Sequence, residues 1–290
     1  MDDTVAHLKL KSIRYRKSVL AMIKHGGAGH TGGSLSCVDI LNVLYNHVLN
    51  VSPDNFSHPN RDRYVQSKGH SVEALYAVLA ERGFFPAAHL ETLNTFQSHF
   101  VGHPTRKVNG IEQNTGALGH GLSVAVGMAL AAKLDSSPAR VFALLGDGEL
   151  AEGSSWEAAM TAAHYRLDNL TAIVDRNGLQ ITGPTEEVNA LEPLPDKFRA
   201  FGFAVRQVDG NSVEQLLRVF LETPFETGKP SLILARTVKG CGISFMENNV
   251  KWHHKVPNDV EYASALDELD AAEAQLLEQL NPNAEVSSWN

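Results

Sequence analysis

The sequence predicts an α/β protein whose parallel β-sheet is covered by helices on both faces. Three observations indicate this class. Four short apolar segments lack a regular apolar–polar alternation, turn residues follow several of them, and helical segments separate them. The predicted strands are 140–145 (RVFALL), 170–175 (LTAIVD), 203–208 (FAVRQV) and 231–236 (SLILAR). Strands that alternate with helices are typical of a parallel sheet buried on both sides.

The first 120 residues predict helices and loops. An amphipathic pattern over 4–24 ends at Gly26-Gly27, and Ser34 or Ser36 is a candidate N-cap of a second helix that runs to about Leu49. The elements expected after it are a polar loop over 50–69, a helix over 71–82, a short helix from Pro86 and a loop over 98–119.

The helices of the second half follow from the same patterns. They are expected over 120–134, 154–166, 212–222 and, as a surface helix at the end, 257–280. Because no stretch reads as a linker, we expect residues 1–290 to form a single domain with a long N-terminal helical and loop region and a C-terminal helical tail.

Composition excludes several classes of protein. The 25 Lys+Arg against 33 Asp+Glu give a net charge of −8, which argues against a nucleic-acid or membrane-surface protein. No apolar run is long enough to span a bilayer, and the charged N-terminus does not resemble a signal peptide. Two cysteines suit a reducing compartment, so we expect a cytoplasmic location.

A metal site is predicted where two neighbouring strands end. Asp147, in Gly146-Asp147-Gly148, and Asn177 each follow a predicted strand, and the carboxyl ends of parallel strands share one edge. One carboxylate, one amide oxygen and a nearby main-chain carbonyl suit Mg²⁺ completed by phosphate oxygens and water. The alternative is that Asp147 only ends a strand in a turn, but Asn177 favours the metal site.

A glycine-rich segment, Gly116 to Gly121, leads directly into a predicted helix. Free N–H groups at a helix N-terminus bind anions, although glycines also precede helices that bind nothing. No dinucleotide fingerprint and no P-loop is present.

Histidines in loops suggest a polar substrate. His30, His70, His103 and His120 each follow a glycine, and a His253-His254 pair follows Trp252. Histidine donates hydrogen bonds to phosphate, hydroxyl and carbonyl oxygens, so this pattern suits a polyhydroxylated, phosphorylated substrate. No HExxH and no CxxC motif is present, so zinc is not predicted. Glu152 is either a helix-dipole acid or a functional carboxylate.

These motifs together resemble the transketolase family. GDG, about 28 residues and then Asn form a thiamine diphosphate motif, here GDGELAEGSSWEAAMTAAHYRLDNLTAIVDRNG. The other matching pieces, in family order, are AGHTGGSLS (28–36), DRYVQSKGHSVEALY (62–76), VGHP (101–104), NTGALGHGLSVAVGMALA (114–131), KPSLILARTVKG (229–240) and WHH (252–254). Thr31 departs from the proline of many full-length members.

The resemblance implies a thiamine diphosphate-binding fold and a role for individual residues. The implied Mg²⁺ ligands are Asp147, Asn177 and the Leu179 carbonyl. The implied cofactor contacts are His70, Gly116, Leu118, Gly148, Asn177, Ile181 and His253, and Glu152 matches an acid that links cofactor sites across the assembly. The implied catalytic histidines are His30, His103 and His253, and the sequence leaves open whether His254 takes the last place.

The implied activity is the transfer of a two-carbon ketol unit from a ketose phosphate to an aldose phosphate, as in pentose phosphate metabolism. Because the chain has 290 residues, we expect the N-terminal subunit of a split transketolase. A C-terminal partner subunit would then carry the pyrimidine-binding domain, in a dimer of heterodimers. The alternatives are the α-type subunit of another thiamine diphosphate enzyme (a 2-oxo acid dehydrogenase or a 1-deoxyxylulose-type synthase) and a non-catalytic subunit that retains the cofactor.

Overall fold

A five-stranded parallel sheet forms the centre of the computed structural model, which describes residues 3–280. Its strands are β1 (Arg63–Gln66), β2 (Val141–Gly146), β3 (Leu170–Arg176), β6 (Ala204–Asp209) and β7 (Ser231–Arg236). Two further strands, β4 (Leu179–Gln180) and β5 (Gly183–Pro184), form a separate short antiparallel hairpin. The sheet order is β1-β2-β3-β7-β6, with every neighbouring pair parallel. The predicted fold class is confirmed.

Helices surround this sheet. They are α1 (Asp3–Gly26), α2 (Thr31–Ser36), α3 (Val38–Val43), α4 (Val72–Glu81), α5 (Gly121–Leu134), α6 (Gly153–His164), α7 (Thr185–Val188), α8 (Leu194–Ala200), α9 (Val213–Leu221) and α10 (Asp259–Leu280). Short 3₁₀ helices span Gly69–Ser71, Ala87–Thr92, Gly148–Ala151 and Val250–Trp252, and a π-helical turn spans Leu44–Val48.

Two hydrophobic cores lie on opposite faces of the sheet. Successive side chains of a strand point to opposite faces, and β2 shows this directly. Phe142 and Leu144 join the core formed with α1, α3, α4 and α9, whereas Ala143 and Leu145 join the core formed with α5, α6 and α8. Burial on both faces explains why the strand is apolar throughout.

Two local predictions are wrong. The 50–69 segment contains β1, which was not predicted because Arg63 and Gln66 make half of this four-residue edge strand polar. The helix expected from Ser34 or Ser36 begins at Thr31, and it is interrupted at Cys37 between α2 and α3. His30 precedes that helix and gives no side-chain cap.

The other long helices agree with the sequence pattern. α1, α4, α5, α6, α9 and α10 lie within one or two residues of their expected bounds, and Ser212 caps α9 by accepting a hydrogen bond from the Gln215 N–H. The β4–β5 hairpin, α7 and α8 were not predicted. Between residues 3 and 280, no helix is long and apolar enough to cross a membrane.

Candidate active site

The loops that follow β2 and β3 meet at the carboxyl edge of the sheet. Gly146 of β2 pairs with Asp175 of β3, so the next residues of both strands emerge side by side. The Asp147 carboxylate accepts hydrogen bonds from the Gly178 N–H (2.6 Å) and the Gly148 N–H (2.8 Å). Thirty positions separate Asp147 from Asn177 in the chain, yet both line one cavity.

This cavity has a volume of about 270 Å³. Ten of the twelve predicted site residues line it, namely His30, His70, Gly116, Leu118, Asp147, Gly148, Asn177, Leu179, Ile181 and His253. The other two do not. His103 is exposed, with its ring centroid 6.0 Å from that of His30, and Glu152 is exposed at the start of α6.

The oxygen atoms of the predicted metal site have identified partners. Asp147 Oδ2 accepts from Arg176 Nη1 (3.1 Å) as well as from Gly178, whereas Oδ1 accepts from Gly148. Asn177 Oδ1 accepts from the Leu179 N–H at 3.1 Å. The Leu179 carbonyl accepts from the Lys239 ammonium at 2.9 Å. Asp147 Oδ1, Asn177 Oδ1 and this carbonyl oxygen each keep a second lone pair for a cation.

The donor chemistry fits Mg²⁺ held jointly with a phosphate group. Over residues 3–280, no three His, Cys, Asp or Glu side chains form a metal-binding cluster, so a protein-only cage is absent from this part of the chain. One carboxylate with neutral amide and carbonyl oxygens is the kind of incomplete set that Mg²⁺ completes with phosphate and water. Burial, and then the charge of Asp175, raise the pKa of Asp147.

Two glycines that line the cavity, Gly116 and Gly148, allow neighbouring residues to pack closely against the backbone. Gly116 has φ = +134°, and a Cβ there would lie 2.5 Å from His103 Cδ2. A Cβ on Gly148 would lie 3.1 Å from Gln180 Cβ. Gly116 and Leu118 line the cavity, whereas Gly121, the first residue of α5, is not among its lining residues. The surface suited to an anion is therefore the segment before the helix rather than the helix N-terminus.

Two buried lysines at the cavity were missed by the sequence analysis. Lys68 pairs with the buried Asp175, and its ammonium also donates to the Gly33 carbonyl at 2.9 Å. Lys239 lies 2.8 Å from His253 Nδ1, and burial, together with the charge of Lys68, lowers its pKa to about 8. The available signal was for Lys239, a lysine beside a glycine just after a predicted strand, in TVKG.

A buried glutamate secures the glycine-rich segment to the sheet. Glu149, 2% exposed, accepts from the Gly119 N–H (2.9 Å), from the Gly146 N–H (3.0 Å) and from the Ser67 hydroxyl. One side chain thus connects the end of β2, the segment after β1 and the turn before α5. The sequence analysis missed Glu149 because its position beside the GDG motif gives no separate signal.

Four histidines surround His30 next to the cavity. The His30 ring centroid lies 5.1 Å from that of His70, 5.7 Å from His253 and 4.6 Å from His254. His253 lines the cavity and stacks on His70 with 5.6 Å between centroids, whereas the exposed His254 is not among the lining residues. The geometry thus favours His253 over His254 as the residue facing the cavity.

Four histidines of the site, His30, His70, His103 and His253, have lowered pKa values and are neutral near pH 7. Burial, followed by neighbouring positive groups, lowers the pKa of His30 to about 4 and that of His253 to about 3. Burial also lowers the pKa of His70, and partial desolvation by neighbouring groups lowers the pKa of His103, although its side chain is exposed. A neutral imidazole donates one N–H and accepts at the other nitrogen, so the group can orient hydroxyl and carbonyl oxygens without adding charge.

The chain resembles known proteins over most of its length. It is 48% identical over 265 residues to one of the subunits of the apulose-4-phosphate transketolase of Phocaeicola vulgatus, covering 91% of this chain and 94% of that protein. It is 44% identical over 256 residues to the 6-deoxy-6-sulfo-D-fructose transketolase subunit SqwG of a Clostridium species, covering 88% of this chain and 93% of that protein.

Solved structures agree with the sequence relatives. The transketolase of Campylobacter jejuni subsp. jejuni superposes with a TM-score of 0.80 at 29% identity, covering 98% of this chain and 49% of that one. The chain thus spans about half the length of the solved transketolases that it matches. The family model described as "Transketolase, thiamine diphosphate binding domain" matches residues 9–269. The resemblance is confirmed: the chain belongs to the transketolase family, to whose thiamine diphosphate binding domain it corresponds.

Proposed function

We propose that this chain is the thiamine diphosphate-binding subunit of a two-chain transketolase that uses Mg²⁺. It transfers a two-carbon ketol unit from a ketose phosphate to an aldose phosphate. The observation that carries the proposal is the cavity at the carboxyl edge, where side-chain and main-chain oxygen atoms, two lysines and neutral histidines meet. The other thiamine diphosphate enzymes, like a non-catalytic role, are not favoured, because the similar proteins are parts of transketolases.

The residues of the cavity divide into two groups for the cofactor. Asp147, Asn177 and the Leu179 carbonyl hold Mg²⁺. The diphosphate side is contacted by His70, Gly116, Leu118, Gly148, Asn177 and His253, with Ile181 packing nearby. When bound, thiamine diphosphate supplies a nucleophilic carbon and an electron sink for cleaving the bond next to a carbonyl. The ammonium of Lys239 adds positive charge beside the diphosphate.

The histidines act on the sugar. His30, His103 and His253 donate to, or accept from, the hydroxyl and carbonyl oxygens of the substrate. Because they are neutral, they orient these oxygens and polarise the carbonyl through N–H groups that are already in place. The burial that keeps His30 and His253 neutral also limits the contact of these two rings with water.

A partner chain completes the site. Two similar proteins of nearly this length are named as single subunits of an apulose-4-phosphate transketolase, which supports a second chain with the pyrimidine-binding domain. Ile181, at the cavity, is 66% exposed, as an apolar residue covered by a partner would be. The exposed Glu152 links two such sites in a dimer of heterodimers.

The substrate is a ketose that carries an anionic group. The names of two relatives contain a sugar phosphate and a sulfo-sugar, which differ in the sugar and share an anionic substituent. We therefore propose this substrate class rather than one particular pentose phosphate.

The test is reconstitution with a partner chain. The protein is purified by itself and with a co-expressed C-terminal transketolase subunit, and both samples receive thiamine diphosphate, Mg²⁺, an aldose acceptor and a panel of donors. The panel contains ketose phosphates, 6-deoxy-6-sulfo-D-fructose and pyruvate. We expect ketol transfer from a ketose by the pair only. Turnover by the isolated chain would contradict the need for a partner, and use of pyruvate in place of ketoses would contradict the reaction.

A further inference from the structure

Glu73 is a fully buried carboxylate that the proposed reaction does not use. It lies in the first turn of α4, three residues after His70, and is 0% exposed. Among residues 3–280, no ion pair to it is formed. A buried carboxyl group without a partner ion is costly once it is ionised, and an apolar side chain of similar size would avoid this cost. The position therefore calls for a reason other than stability.

The carboxylate contacts the backbone next to His30. Glu73 Oε1 accepts from the His30 main-chain N–H at 3.3 Å, and Oε2 accepts from the Ser34 hydroxyl at 2.7 Å. The Ser34 N–H donates in turn to the His30 carbonyl at 2.9 Å. Both ends of the first turn of α2 are thus fixed by one side chain on α4.

Gly29 makes room for this arrangement. A Cβ at Gly29 would lie 2.8 Å from Glu73 Oε1 and 2.6 Å from Ile23 Cγ1. The glycine before His30 therefore lets the backbone approach the carboxylate closely. The Gly29-His30 pair that the sequence analysis singled out has this physical reason.

No hydrogen bond from Nδ1 fixes the orientation of the His30 ring within the described part of the chain. Its Nδ1 is buried, and among the described residues it has no hydrogen-bond partner. The ring lies among His70, His103, His253 and His254, with centroids 4.6 to 6.0 Å away. Its direction is therefore set by these ring contacts and by the main chain, to which Glu73 is hydrogen-bonded.

We infer that Glu73 is a positioning residue: its carboxylate fixes the turn at Gly29-His30 and so aims the His30 imidazole at the oxygen atoms of the sugar. The inference rests on the proposed function for the identity of that sugar. Small displacements of a group that contacts substrate reduce turnover strongly. Among the described residues, Glu73 accepts its hydrogen bonds from His30 and Ser34 and not from the proposed Mg²⁺ ligands. Loss of Glu73 should thus lower turnover of the ketose donor and leave the affinity for thiamine diphosphate nearly unchanged.

The experiment compares Glu73→Met, which removes both acceptors, with Glu73→Gln, which keeps an acceptor oxygen. The full chain is labelled with ¹⁵N-histidine, and a His30→Gln sample assigns the His30 ring signals. We expect E73M to shift these signals from their wild-type positions and E73Q to leave them close to those positions. In the complex with the partner chain, E73M should lower kcat/KM for the ketose donor about 10- to 100-fold while the Kd of thiamine diphosphate stays near the wild-type value.

Asp62→Asn is the matched control, because Asp62 is another buried carboxylate, just before β1 at the opposite edge of the sheet. It should leave the His30 signals unchanged. A folded E73M with wild-type His30 signals, or D62N with the same shift as E73M, would overturn the inference. If E73M does not fold, Ser34→Ala, which removes one donor to the carboxylate, should shift the same signals, and an unchanged spectrum would overturn it equally.

The two proposals fail separately. If the wild-type complex transfers no ketol unit, the proposed function is wrong, while the ¹⁵N signals of E73M and E73Q still decide whether Glu73 orients His30. If the complex is active and the signals do not move, only the positioning role is wrong.

Discussion

At each end of the strands of the central sheet lies a buried aspartate paired with an arginine. The two carboxylates differ in their surroundings. At the amino edge, Asp62 pairs with Arg140 at 2.6 Å. Each of its oxygens also accepts from the main chain, Oδ1 from the Arg140 N–H (2.9 Å) and Oδ2 from the Asn50 N–H (2.9 Å). At the carboxyl edge, Asp147 pairs with Arg176 and borders a cavity.

The difference distinguishes a structural ion pair from a candidate binding site. Asp62 is enclosed by its donors, with a main-chain N–H and the Arg140 guanidinium on each oxygen. Among residues 3–280, Asp147 Oδ1 accepts a hydrogen bond from the Gly148 N–H alone. Burial, together with the charge of Asp175, raises the pKa of Asp147. A carboxylate that is buried, incompletely paired and next to a cavity is better explained by a cation that binds there than by stability.

Asp147→Ala should therefore have the largest effect at the site. We expect the affinity for thiamine diphosphate in the presence of Mg²⁺ to fall by about 100-fold or more, because the ion loses the one carboxylate of its proposed ligand set. Isothermal titration calorimetry with and without Mg²⁺ measures this. Asp62→Asn is the control and should lower the free energy of unfolding by about 1–2 kcal/mol without changing cofactor affinity. Equal cofactor affinities for D147A and the wild type would remove the metal assignment.

The sequence predicted the carboxyl edge better than the elements that build it. Asp147 and Asn177 were predictable because each directly follows an apolar strand, and parallel strands end at one edge. Lys68 was not, because it follows β1, a strand of four residues with polar ends. Glu73 was not predictable either, since nothing in SVEALYAV indicates that its carboxylate reaches the backbone of a residue 43 positions away. Local patterns show strand ends; contacts between distant segments need the fold.

Lys239→Met should produce the next largest effect. The ammonium is buried at the cavity, where water would compete little with a hydrogen bond to an anion. We expect thiamine diphosphate to bind about 30-fold more weakly, since charge-assisted hydrogen bonds are roughly twice as strong as neutral ones. Lys229→Met, which removes an exposed surface lysine, serves as the control in the same titration. Similar affinities for the two variants would show that Lys239 does not contact the diphosphate.

Arg176→Met tests the role of the arginine, which is the feature that the two aspartates share. Arg176 donates to Asp147 Oδ2 and is itself held by Glu186 at 2.6 Å and Glu192 at 3.3 Å. If it orients the carboxylate toward the ion, its loss should weaken Mn²⁺ binding in the presence of thiamine diphosphate by about 10-fold, measured by electron paramagnetic resonance of free Mn²⁺. The exposed Arg199→Met is the control. Tighter Mn²⁺ binding by R176M would mean that the arginine acts mainly by repelling the cation.

Glu73→Gln gives the smallest effect and extends the comparison to a carboxyl group that has no arginine partner among the described residues. Burial raises the pKa of Glu73 to about 7, against the opposing hydrogen bonds from Ser34 and the His30 N–H and the charge of Lys68. Because the folded carboxyl keeps its proton up to about pH 7 while the unfolded one loses it near pH 4.5, the stability that this proton provides is complete at low pH and is lost as pH rises through 7. Between pH 6 and pH 7 the wild type should thus lose about 1 kcal/mol of unfolding free energy relative to E73Q, as measured by urea denaturation. The histidines with lowered pKa values contribute the opposite slope equally to both chains, so the difference isolates Glu73. Parallel stability curves for E73Q and the wild type would mean that the carboxyl is ionised throughout this range, as a carboxylate paired with an arginine would be.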